Sequence, residues 1–238
     1  MIKKIIEPLI VTLLIIAIFY LGYSNKLKLL INPSYFIFIY ITLVVLFLIF
    51  TAIILIPGSR SKNNYFSYLL FLIMIIILFS TSYKDYQESI SELKGVTNNI
   101  FEYKTKVDIF DGDRVVITEF NYLDAVDEIY RNIDKYIGKK ILFKGYVYYA
   151  NGIKPNEFVL SRLIMVCCAA DTSVYGLLCS YENINHDFKS DEWYEINGEI
   201  SKKTLDIDGE LNVHPIINII EYREIPIPED PYIYPVLF

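Results

Sequence analysis

Cys167 and Cys168 are adjacent thiols, and Asp171 follows three residues on, in the stretch "RLIMVCCAADTSVYGLLC" that also holds the third cysteine, Cys179. Three chemistries are open to them. Two thiolates and a carboxylate suit zinc or copper(I), with His186 or His214 as a distant fourth ligand. The adjacent spacing differs from the two-residue gap of structural zinc sites, and neither histidine is near in sequence. A second possibility is a disulfide: a hairpin joining residues 158–169 to 174–182 would set Cys167 or Cys168 opposite Cys179, leaving one odd thiol. The third is a packing role, because a free cysteine behaves as a small hydrophobe. Asp171 would then close the turn with its carboxylate.

Strand geometry limits the metal reading. Side chains alternate across a strand, so Cys167 and Cys168 would point to opposite faces if "FVLSRLIMVCC" were extended throughout. Both reach one ion only if the strand ends there or a bulge turns the pair, and the turn-forming "AADTS" that follows supplies an ending.

Other candidates are weaker. Asp111 and Asp113 in "DGDRVV", and Asp206, Asp208 and Glu210 in "DIDGE", alternate as oxygen ligands to calcium would, but no twelve-residue calcium loop surrounds them. Turns in an acidic protein explain them better. His214, before Pro215, reads as a packed or surface side chain in a strand, and Trp193 as a strand-starting residue on the body of the domain. No nucleophile elbow, phosphate loop or zinc-protease motif occurs, so the expectation is a protein that is not an enzyme. No cofactor beyond zinc or copper is suggested.

The elements that must position these residues fall into two halves. Hydrophobic residues make up 54% of the chain and crowd into its first third. A bilayer core about 30 Å thick needs roughly 20 helical residues. Three runs approach that length, about 5–23, 35–56 and 65–82, and none carries the polar stripe of an ordinary buried helix. The expectation is a membrane protein with three N-terminal transmembrane helices in an anchor over residues 1–83, in contact with membrane lipid. Lys3, Lys4, Arg60 and Lys62 flank one side, against Lys26, Lys28 and Lys84 on the other. Four against three favours a cytoplasmic N-terminus and an extracytoplasmic C-terminal domain.

Charge divides the chain in the same place. Residues 1–94 carry eight Lys/Arg and four Asp/Glu, net +4; residues 95–238 carry fourteen and twenty-four, net −10, which together give the chain's −6. An acidic domain does not neutralise phosphates, so nucleic acid is excluded as a partner.

After a polar juxtamembrane linker at 84–104, the soluble β-rich domain is expected over 105–238. Two short strands flank "DGD". In "NYLDAVDEIYRNIDKYIG", Leu123, Val126, Tyr130, Ile133 and Ile137 recur at helical steps, with Asn121 as N-cap and Gly138 as terminator. Five strands follow, rich in β-branched and aromatic residues: "KKILFKGYVYYA", "NEFVLSRLIMVCCA", "VYGLLCSYE", "EWYEINGEIS" and "ELNVHPIINIIEY". Glycines inside the first and fourth mark sharp bends. The expected fold is a mainly-β domain, an OB-like barrel with one or two helices. The tail "IPIPEDPYIYPVLF", with four prolines, is expected to run extended along the surface.

With "INPSY", "KGVTNN", "GKKILFKGYVYY", "FVLSRLIMVCCAAD", "DEWYEINGEI" and "PEDPYIYP" in place, the chain resembles the YcgQ-like family of proposed permease subunits, which join a membrane anchor to a C-terminal domain of unknown function. The resemblance implies work beside a polytopic membrane permease. It assigns no role to Cys179, which stands where an aliphatic residue is expected. The chain also lacks a His-rich stretch between its second and third apolar runs.

Overall fold

The computed structural model describes residues 12–13, 15–20, 22–23, 26–55, 110–111, 114–150, 152–182, 184–207 and 210–235. They belong to two compact units, Met1–Tyr86 with Cys167–Ala170, and Gln87–Val166 with Asp171–Phe238.

In the first unit, Pro33 opens a short 3-10 turn, and the Asn32 side chain accepts from the Ser34 amide at 3.0 Å. Pro cannot donate and presets the first helical φ, so the chain passes directly into α1, Phe36–Leu55. The Thr42 and Thr51 hydroxyls donate back to the Phe38 and Leu48 carbonyls, both at 2.8 Å, which satisfies them within the helix.

The three-span expectation is corrected here. Among the described residues, no helix is long and apolar enough to cross a membrane. The first run is described only in part, and the third, at 65–82, lies outside the described residues, as does the linker at 84–104.

The second unit is built on a mixed sheet of eight strands: β1 (Phe110–Asp111), β2 (Arg114–Val116), β3 (Lys140–Tyr148), β4 (Glu157–Ile164), β5 (Ser173–Ser180), β6 (Trp193–Ile207), β7 (Glu210–Glu224) and β8 (Tyr232–Ile233). Their order is β1-β2-β3-β6-β7-β5-β4-β8, and a further β3–β4 pairing closes the five long strands into a ring. Most pairings are antiparallel, but β2–β3, β5–β7 and β4–β8 are parallel. The sheet thus exceeds the expected five-stranded OB-like barrel by three short strands, β1, β2 and β8. Short strands from both ends of the domain's sequence extend the sheet, and β6 and β7 run on together as far as the Ile207–Glu210 pair.

The glycines have a steric reason. A Cβ on Gly145 of β3 would lie 2.6 Å from the Ser161 carbonyl oxygen of β4, and one on Gly198 of β6 would lie 2.5 Å from Ile217 Cγ2 of β7. Close approach at such positions lets the sheet coil without separating its strands.

The helical segment packs on this ring but breaks where a continuous helix was expected. α2 spans Tyr122–Arg131, and after Asn132 a single turn, α3, covers Ile133–Tyr136. Asn121 is not a side-chain cap. Its Oδ1 accepts from the Thr118 amide at 2.7 Å and its Nδ2 donates to the Val116 carbonyl at 3.1 Å, so it binds the helix start to β2. Gly138, at φ +79°, ends the segment in the left-handed region that glycine tolerates. The buried helical face is Tyr122, Ala125, Val126 and Ile129, rotated from the expected one, and Ile137 is 40% exposed.

The tail is also corrected. Tyr232 and Ile233, which have amides where the prolines have none, pair in parallel with Leu163 and Ile164 and are buried. Arg162, itself 1% exposed, holds the segment: Nε donates to the Pro231 carbonyl and Nη2 to the Asp230 carbonyl, both at 3.2 Å, and its guanidinium lies 5.0 Å from the Trp193 ring centroid. Hydrogen bonds to charged donors contribute about 1.5–3 kcal/mol. Arg162→Met is expected to lower stability by about 2 kcal/mol in a thermal melt, and to speed proteolytic trimming of the tail. A variant whose tail is cut no faster than wild type would show that Arg162 does not hold it.

Candidate functional site

The cysteine loop is made by the end of β4. The strand stops at Ile164 and β5 resumes at Ser173, with a 3-10 turn at Ala169–Asp171 between them. Cys167 and Cys168 therefore lie in the connection and escape the alternation of a strand. Their Sγ atoms are 3.6 Å apart. With one carboxylate oxygen of Asp171, the three ligand atoms lie within 4.8 Å of one another. Cys167 is exposed; Cys168 and Asp171 are half-buried.

Local hydrogen bonds hold this shape. Asp171 Oδ1 accepts from the Val166 amide at 3.1 Å, closing the turn from its far end. Cys168 forms an antiparallel bridge with Ile31, the Asn32 amide donates to the Cys167 carbonyl at 3.1 Å, and the Ala169 amide donates to the Leu30 carbonyl at 2.8 Å. The backbone on both sides of the two thiols is thus engaged, which limits how far the pair can move apart.

Cys179 is elsewhere. It pairs with Phe158 across β4 and β5, six residues up the strand from Ser173, or about 20 Å at the usual rise. None of the three cysteines is in a disulfide. Cys179 is fully buried, and burial pushes its thiol far above the usual cysteine range, so it is neither a ligand nor a nucleophile at neutral pH.

Neither histidine joins the group. His214 lies on β7 with its ring 6.0 Å from Tyr130, and burial lowers its basicity. His186 stacks on Tyr222 at 4.5 Å, beside Phe188. Of the carboxylates considered for calcium, Asp113 and Asp208 lie outside the described residues, as do the side chains of Asp111, Asp206 and Glu210. Trp193 begins β6 and is 1% exposed, packed against Tyr146.

Sequence reasoning gave no sign of the cavity beside Arg162. It encloses about 120 Å³ and is lined by Thr118, Tyr122, Phe143, Lys144, Arg162 and Glu195 among others. Burial holds the Tyr122 hydroxyl far above the usual tyrosine range, so it stays protonated and donates to the Tyr175 carbonyl at 3.1 Å. Small-molecule sites generally enclose about 300 Å³ or more, so this space suits a few waters better than a substrate. The signal for it was Arg162 itself, a charge inside the apolar run "FVLSRLIMV".

Comparison with known proteins agrees with this layout. Residues 95–235 match the DUF1980 C-terminal domain family. The UPF0703 protein YcgQ of Bacillus subtilis strain 168 is 29% identical over 120 residues, 50% of this chain and 41% of that protein. A Streptococcus mutans protein, named as a proposed two-component membrane permease complex subunit, is 26% identical over 128 residues, 51% of this chain and 43% of that one. The chain thus spans less than half the length of either relative. The family match runs through α2 and α3, the closed strands, the cysteine loop and most of the tail, and on that extent the chain belongs to the DUF1980 C-terminal domain family.

Proposed function

We propose that this chain is a membrane-associated accessory subunit of a permease, and that its acidic β unit is an extracytoplasmic interaction module with a binding rather than a catalytic role. The observation that carries the reading is α1. Its described side chains include no charge, and Ile37, Phe38, Ile41, Val44, Phe47 and Leu48 are each more than half exposed. Apolar surface costs about 25 cal/mol per Å² in water, so lipid or the apolar helices of a partner must cover this one. The name of the Streptococcus mutans relative supplies the class of partner. The net charge of −10 over residues 95–238 keeps the β unit off an anionic lipid surface.

Purification of the tagged full chain from membranes in mild detergent is expected to retain a polytopic membrane protein in stoichiometric amount. Recovery of the chain alone, with the permease present in the same membranes, would rule the reading out. Sidedness has a separate test: Cys167, which is exposed, is expected to react with a membrane-impermeant thiol reagent in intact cells. Reaction only after lysis would put the β unit in the cytoplasm.

A further inference from the structure

The geometry points to a thiophilic metal site, selective for Zn²⁺, formed by Cys167, Cys168 and Asp171. Zinc binds thiolate sulfur at about 2.3 Å in a tetrahedron, which places two coordinating sulfurs about 3.8 Å apart. The observed separation of 3.6 Å is close to that spacing. It is well beyond the roughly 2.05 Å of a disulfide. The turn has therefore already brought the thiols to the chelating distance, and the ion has only to replace their protons.

The third donor decides between metals. Copper(I) is best served by thiolate and thioether sulfur alone, whereas zinc accepts carboxylate oxygen beside sulfur. Asp171 offers that oxygen within 4.8 Å of both sulfurs. Its Oδ1 is oriented by the Val166 amide, the outer-sphere hydrogen bond that ligating carboxylates commonly receive. Three protein ligands leave a fourth position, and the exposure of Cys167 lets water or a donor from another protein fill it. Such a site holds its ion in the manner of an open zinc centre, without the closed four-ligand cage of a structural one. Binding converts two thiols to thiolates and releases two protons; no electron moves.

The test uses the full chain in mild detergent, reduced and stripped of metal, titrated with Co²⁺ and then Zn²⁺. One Co²⁺ per chain is expected, with a thiolate-to-cobalt charge-transfer band that Zn²⁺ abolishes. Cys167→Ser and Cys168→Ser are each expected to remove that band and weaken Zn²⁺ binding by more than about 100-fold, beyond the 10–100-fold typical of losing an outer partner. Asp171→Asn keeps the acceptor for Val166 and is expected to weaken binding by about 10-fold. Cys179→Ala is expected to change nothing. Unaltered circular dichroism of the variants keeps the result distinct from misfolding. The site is refuted if no charge-transfer band forms in the reduced protein, or if the band survives in Cys167→Ser/Cys168→Ser. The result is independent of the permease reading, which the co-purification decides.

Discussion

Gly176→Ala is expected to lower the stability of the β unit by about 3 kcal/mol, the upper range for overpacking a core, and its melting temperature by roughly 10 °C. A Cβ at this position of β5 would overlap the Leu160 carbonyl oxygen and lie 2.8 Å from Ser161 Cα. Both obstacles are backbone. Ser161 pairs with Gly176 on one side and with Tyr146 of β3 on the other, so β4 cannot retreat without opening a ladder. Gly145 presses on the same Ser161 from β3. From the helical side, the Tyr130 hydroxyl donates to the Gly176 carbonyl at 3.2 Å, so β5 is also held in place. Gly152→Ala is the control: nothing lies within 4 Å of its Cβ position, and its φ of +85° alone sets a cost of about 1–2 kcal/mol. Thermal melts of the two variants should rank Gly176→Ala well below Gly152→Ala. Equal melting temperatures would mean that β4 is not clamped between two glycines.

That clamp also shows what could be read in advance. The five long strands were legible because their residues alternate and are β-branched or aromatic, and Gly145 and Gly198 marked places where strands approach closely. Strand ends were harder. "KKTLDIDGELNV" carries charges among its apolar residues and reads as a turn in an acidic protein, yet β6 continues through it to Ile207. Only Asp208 and Gly209 separate β6 from β7 in sequence, and Asp-Gly is itself a hairpin signal. β8 was hidden by its prolines, because the partners that recruit Tyr232 and Ile233 lie nearly 70 residues earlier. At the candidate site the residue types were evident, but their arrangement was not. Whether Cys167 and Cys168 face one way depends on β4 ending at Ile164, which tertiary pairing decides and local propensity does not. The apolar first third illustrates the opposite error: composition suggested three spans, while no helix among the described residues is long and apolar enough to cross a membrane.

The same dependence on tertiary context sets the fate of two adjacent lysines. Lys203 and Lys202 are neighbours on β6, and a strand sends them to opposite faces. Lys203 Nζ reaches both carboxylate oxygens of Glu157, at 2.7 and 2.6 Å, and Glu157 is 1% exposed. Lys202 Nζ meets Asp134 at 2.9 Å in the open, with side chains 52% and 80% exposed. Lys203→Met keeps most of the apolar stem but leaves a buried carboxylate without its cation, which costs about 3–5 kcal/mol. Lys202→Met makes the same chemical change and is expected to cost under about 1 kcal/mol. Glu157→Gln added to Lys203→Met removes the stranded charge and should recover most of the loss. Chemical denaturation of the four proteins at neutral pH checks this, and a Lys203→Met variant as stable as Lys202→Met would mean that water reaches the Glu157 carboxylate.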